Sequence, residues 1–246
     1  MTDAPAQPAL GVDAEPGIQH EHRDVNGGWL RPAVFGAMDG VVSNGALVAG
    51  VAAAHASSHT VIVSGMAGLL AGSFSMAVGE WTSVQSQAEL VQAEIETERA
   101  EIARSPHAEE AELAALFVHK GLSRELATRV ARELSRDPDQ SWRVHVREEL
   151  GIDPDAQPSP YVAAVSSFVT FGIGALIPLL PYLLGATHLL LSLILGAVAL
   201  VTLGAAVARF TRRPLLLGAV RQLALGAATV GVVFAVGSAI GAGVNT

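Results

Sequence analysis

A chain of 246 residues, half of them hydrophobic and only 15% charged, is poorer in charge than soluble domains, where about a quarter of residues carry one. It contains no cysteine, which excludes disulfides and thiolate metal sites and leaves carboxylate, imidazole, thioether and carbonyl groups for any metal. Its net charge of −8 argues against a nucleic-acid partner.

In chain order, residues 1–29 come first. They are polar and rich in Pro, Ala and Gly, with no apolar core segment, and read as a disordered tail, not a leader peptide. Five apolar stretches follow, near Pro32–Ala54, Val61–Val84, Tyr161–Leu184, His188–Phe210 and Pro214–Val244. Each supplies the roughly 20 residues that a spanning helix needs. The expected fold class is an all-α, multi-pass integral membrane protein with five transmembrane helices in a lipid bilayer. The links HASSH and GATH carry no Lys or Arg, while the 15 basic residues gather almost entirely at the other ends of the spans. By the positive-inside rule the N-terminus is cytoplasmic and the C-terminus outside.

The first span, VFGAMDGVVSNGALVAG, holds Asp39 among apolar and small residues, with Ser43 four positions on and Asn44 beside it. A charge at mid-bilayer costs at least about 2.5–3.5 kcal/mol, so such a carboxylate faces a bundle interior or a water-filled path. A helix–helix hydrogen bond is the other reading. In the second span Met76 lies one turn before Glu80, so thioether and carboxylate align; a thioether is weak for Mg(II) and acceptable to Fe(II). Asp39, Ser43, Asn44, Met76 and Glu80 are the candidate transport path. Ordinary packing also explains Met76, and a place at the interface also explains Glu80. The Gly36/Gly40, Gly68/Gly72 and Gly237/Gly241 spacings allow close helix contact, or reflect the abundance of Gly here. Pro178 and Pro181 are expected to bend or end the third span.

The segment between spans two and three is polar and helix-prone. No Gly or Pro occurs from Trp81 to Ser105, so the second span is expected to continue to Arg104, roughly 65 Å in all and about twice the bilayer core. Ser105-Pro106 restarts the chain, and a helix runs to about Lys120, closed by Gly121. Ser123 caps a helix over Arg124–Arg136, and Asp137-Pro138 starts a last one ending at Gly151. Eight Glu and two Arg fall between Glu89 and Glu112. Glu94, Glu98 and Glu101 share a face, Glu109 and Glu112 are three apart, and His145 and Glu149 four apart. Facing each other across a hairpin, such groups would offer several carboxylates and an imidazole to Fe(II), Mn(II) or Zn(II). A solvated helix face is the alternative.

Together RPAVFGAMDGVVSNGALVAG, GSFSMAVGEWTSVQSQAE, the Glu-rich helix into SPHAEEAEL, WRVHVREELGI and IPLLPYLL resemble the vacuolar iron transporter family, in order, from about Leu30 to the C-terminus. The resemblance implies a five-span homodimer whose cytoplasmic helices bind metal, exporting Fe(II) from the cytosol against protons and often accepting Mn(II). It implies that Asp39 and Met76 line the path, that Glu98, Glu101, Glu109 and Glu112 bind metal around the Pro turn, and that Glu149 joins them. Where the well-known plant member has two Met ligands, this chain has His145, which offers nitrogen instead, and Val146, whose side chain offers nothing. A further acidic position of the second span is Gly68 here, and Glu80 matches an alternative acidic site.

The chain is thus expected to comprise the tail (1–29), spans one and two (30–84), a cytoplasmic metal-binding helical domain (85–157) and spans three to five (158–246). Transport is the expected function, with divalent metal ions and protons as partners. There is no HExxH, no GxSxG and no paired nucleophile and base, so an enzyme is not expected. The competing reading is a membrane-anchored divalent-metal sensor or buffer. The Ala- and Arg-rich usage has a bacterial cast, which makes a bacterial plasma membrane the expected location.

Overall fold

The computed structural model describes residues 28–244, so the expected disordered tail lies almost wholly outside the described residues. Among these there are eight helices and no strand: α1 (Leu30–Ala53), α2 (Ser58–Arg104), α3 (Pro106–His119), α4 (Arg124–Leu134), α5 (Pro138–Glu149), α6 (Pro160–Leu183), α7 (Leu189–Phe210) and α8 (Leu215–Val244). Five of them, α1, α2, α6, α7 and α8, are long and apolar enough to cross a membrane. The chain is a multi-pass, all-helical membrane protein.

The helix ends follow local chemistry. Ser57 caps α2 by accepting from the Thr60 N–H at 3.2 Å. The helix then runs unbroken for 47 residues, about 70 Å, straight across the expected boundary at residue 84. It stops at Ser105, where the following proline disfavours helical backbone. Gly121 closes the end of α3 at φ +104°, a conformation that suits only glycine comfortably. Ser123 and Asp137 cap α4 and α5 through the N–H groups of Leu126 and Asp139. The helix α4 is two residues shorter than expected.

In the membrane part α6 lies at the centre, packed most extensively on α1 and α2, while α7 pairs with α8 and α8 with α1. The small-residue spacings are used within this one chain. A Cβ on Gly40 would collide with the Phe171 carbonyl of α6, and one on Gly237 with the Gly50 carbonyl of α1. Of the two prolines expected to bend or end this span, Pro178 does not end α6, which closes at Leu183, two residues after Pro181. Pro178 has no N–H for the Gly174 carbonyl, but its ring is fully buried against neighbouring helices, which hold the segment.

The remaining helices form a small unit on the half of α2 beyond the bundle, here called the stalk. The helix α5 packs on α2 through Ile95, Trp142 and Val146, and α3 and α4 pack together beside it. Two cations clamp this seam: the guanidinium carbons of Arg99 and Arg143 lie 4.2 and 4.8 Å from the Trp142 ring centroid. The chain returning to α6 is strapped to α5. Arg143 donates to both carboxylate oxygens of Asp155 at 2.7 and 2.6 Å, and Arg147 donates to Asp153 at 2.9 Å.

Candidate metal sites

The turn at Ser105-Pro106 folds α3 back beside the end of α2, and α5 crosses both. Glu98 on α2, Glu109 on α3 and His145 on α5 therefore meet, with one ligand atom from each within 4.8 Å of the others. His145 is fully buried and Glu98 is 7% exposed. The Nδ1 of His145 lies 3.0 Å from Glu98 Oε1 and 3.9 Å from Glu109 Oε2. Neither ring nitrogen nor Glu98 Oε1 has an aligned hydrogen bond. Buried polar groups are nearly always satisfied, so the orphaned Glu98 Oε1 and His145 Nδ1, with a Glu109 carboxylate oxygen beside them, fit a cation that completes them.

Glu101, Glu112 and Glu149 are exposed and stand outside this group, but their charge reaches it. Burial raises the Glu98 carboxyl to about 7, helped by Glu149, Glu109, Glu101 and Glu112 in that order. Glu109 and Glu149 are raised too, first by burial and then by neighbouring carboxylates. Burial lowers His145, opposed in part by Glu112. The arrangement is an inner group of a buried and a half-buried carboxylate with a buried neutral imidazole, flanked by three exposed carboxylates. Val146, next to His145, is fully buried in the seam with Ile95 and Trp142. Glu110, outside the group, lies 3.4 Å from Arg132 on α4.

The second site is a cleft of about 280 Å³ between the spans, lined by Asp39, Ser43 and Asn44 of α1, Gly68, Gly72 and Met76 of α2, and Phe171 of α6 among others. Ser43 donates to the Asp39 carbonyl at 2.6 Å, so its hydroxyl is satisfied on its own helix. Asn44 donates to the Ala175 carbonyl at 2.6 Å, bonding α1 to α6, while its Oδ1 has no partner. No side chain among the described residues hydrogen-bonds or ion-pairs with the Asp39 carboxylate. Gly68 leaves space where a Cβ would stand 2.9 Å from Asn44 Oδ1. Glu80 lies one turn beyond Met76 along α2, outside the lining of the cleft, its Oε1 4.0 Å from the exposed Arg31 guanidinium at the start of α1.

Sequence reasoning missed Phe171 as a wall of the cleft and the Arg99–Trp142–Arg143 stack. The Trp142-Arg143 pair was visible, but the partner on α2 was not.

The family model for the VIT family matches residues 30–238. The chain belongs to the VIT family. Similar members include the vacuolar iron transporter of Acanthamoeba castellanii, 38% identical over 229 residues that cover 90% of this chain and 82% of that protein. Vacuolar iron transporter 1 of Oryza sativa subsp. japonica is 30% identical over 245 residues, 97% of each chain. Vacuolar iron transporter 1 of Arabidopsis thaliana is 32% identical over 158 residues, 63% of this chain and 62% of that protein. These VIT family members come from an amoeba and plants and are named for vacuoles, so they lend no support to the expected bacterial plasma membrane.

Proposed function

We infer that this protein moves Fe(II) across a membrane as a proton antiporter, accepts Mn(II), and gathers the ion first at the stalk. The names of its relatives support iron transport. The observation that carries the path is the cleft in which Asp39 of α1 and Met76 of α2 face the same space. A carboxylate with no partner holds either a cation or a proton, which is the physical basis for exchanging one for the other. In this reading Glu98, Glu109 and His145 take up the ion, with Glu101, Glu112 and Glu149 drawing it in. His145 supplies nitrogen to a site that also suits Zn(II).

The stalk-bearing side is read as the cytosol, because the basic residues gather there. Export then runs from stalk to cleft to the far side, and the protein works as a homodimer. Asp39, Met76, Ser43 and Asn44 form the path, and Glu80 with Arg31 stands at its stalk-side edge. The second reading, a metal sensor or buffer anchored in the membrane, is favoured by the completeness of the buried stalk group within one chain.

The test is metal uptake by proteoliposomes with Fe(II) or Mn(II) outside and a pH dye inside. Uptake with counter-movement of protons, lost in Asp39→Ala and slowed in a Glu98/Glu101/Glu109/Glu112 quadruple variant, is expected. Metal binding in detergent without uptake by correctly oriented protein would establish the sensor instead.

A further inference from the structure

The geometry points to a cation site at the end of the spans opposite the stalk, built on His55 and His188. His55 belongs to the link between α1 and α2, and His188 precedes α7 in the link from α6. Both line one cavity of about 350 Å³ together with Ser58, Tyr182, Thr187 and Ser238. Neither imidazole has a hydrogen-bond or ion-pair partner among the described residues. His188 occupies the N-cap position of α7 without using its ring as a cap.

The backbone selects which imidazole enters. The link HASSH has two histidines, and His59, already inside α2, does not line the cavity. His55 does, held at φ +60°, one of two non-glycine residues with positive φ among those described. That left-handed conformation is uncommon for a residue with a side chain, and Asn, Asp and His are the types that adopt it most readily. It turns the chain sharply off α1.

The position along the spans is informative. The buried cluster of Val48, Val61, Leu179 and Tyr182 lies, by helical register, between the Asp39 cleft and this cavity. The two spaces are thus separated by an apolar layer. The lining of the far cavity has no Asp, Glu, Lys or Arg. Imidazole and hydroxyl groups without a carboxylate select a borderline transition cation such as Fe(II) or Zn(II) over Mg(II) or Ca(II). They also hold it less firmly than a carboxylate group would, as a release-side station requires. The station's role rests on the transport reading; its existence does not.

The test measures binding alone. Full-length protein in detergent, carrying Asp39→Asn, Glu98→Gln, Glu109→Gln and His145→Ala to silence the other two sites, is dialysed against Zn(II) and the bound metal counted. Asn is chosen for the new substitutions because it tolerates the left-handed backbone at position 55. Bound Zn(II) is expected to fall by about one equivalent, or its affinity by at least about tenfold, in His55→Asn and equally in His188→Asn, with His59→Asn unchanged. No effect in either variant, or an effect in only one of them, overturns the site. Transport does not enter the measurement, so a failure of the transport reading would leave this result standing.

Discussion

The Nδ1 of His145 stands 3.0 Å from Oε1 of Glu98, yet the two atoms are not aligned as a hydrogen bond. Both belong to a buried seam between α5 and α2, and Glu109 completes the group from α3. Two elements that could satisfy each other instead point their ligand atoms at a shared space.

The first consequence concerns pH. Glu98 is held at about 7, so below that value an entering ion must displace its proton. Mn(II) affinity of the stalk is expected to be nearly flat above pH about 7 and to fall by up to about tenfold per unit below it. Titration of wild type and Glu98→Gln over this range checks it: the variant should bind more weakly and lose the slope. An unchanged slope would place the displaced proton elsewhere.

Stability without metal should move the opposite way. The native Glu98 carboxyl titrates near 7 and its unfolded counterpart near 4.5, so between these values the native state holds more protons. Its contribution therefore declines as pH rises from about 4.5 to about 7, and Glu98→Gln should abolish that decline. His145, lowered by burial, acts with the opposite sign below its unfolded value of 6.5. The difference between wild type and variant isolates Glu98. Thermal melts of chelator-treated protein supply the measurement, and a difference that does not vary with pH would contradict it.

Asp39→Asn should separate the two sites. It preserves shape and removes the one charge lining the cleft. Proteoliposome uptake of Mn(II) is expected to drop by at least about tenfold, with stalk affinity in detergent unchanged. Loss of both would mean that the substitution disturbs the fold.

Gly40→Ala tests the seam of α1 and α6. The added methyl would meet the Phe171 carbonyl and the Ala175 N–H region, both backbone, whereas Gly79 has open space around it. Overpacking of this kind costs about 1–3 kcal/mol, so Gly40→Ala should lower the unfolding temperature in detergent. Gly79→Ala should leave it unchanged or raise it slightly.

Much of the architecture was legible because its punctuation is local. Ser57, Ser105-Pro106, Gly121, Ser123 and Asp137-Pro138 each act on their own neighbours, and the helices end within a few residues of them. Spacing also placed Glu98 beside Glu101 and Asp39 beside Ser43. What spacing could not reveal is which member of a face turns inward: Glu98 is buried and Glu101 is not. That depends on how α5 crosses α2, which is set by Trp142 between two guanidinium groups from different helices. The Asn44 bond to Ala175 joins residues 131 positions apart, beyond any local rule. That α6 continues past Pro178 has the same kind of cause, since neighbours in space, not in sequence, hold the buried ring.

The length of α2 has a mechanical meaning. Met76 and Glu98 lie on one helix with no proline between them and no glycine beyond Gly79, about 33 Å apart. The helix is a lever with its fulcrum in the bilayer. A tilt of about 10° at Met76 would carry Glu98 about 6 Å sideways, more than the 4.8 Å across the ligand group. Glu109 and His145 ride on α3 and α5, and the Asp153/Asp155 strap ties α5 to the chain entering α6. A tilt of α2 against α6 would therefore load the Trp142 seam and the Glu98, Glu109 and His145 group beside it, since α5 is held to α2 by that seam and to the chain entering α6 by the strap.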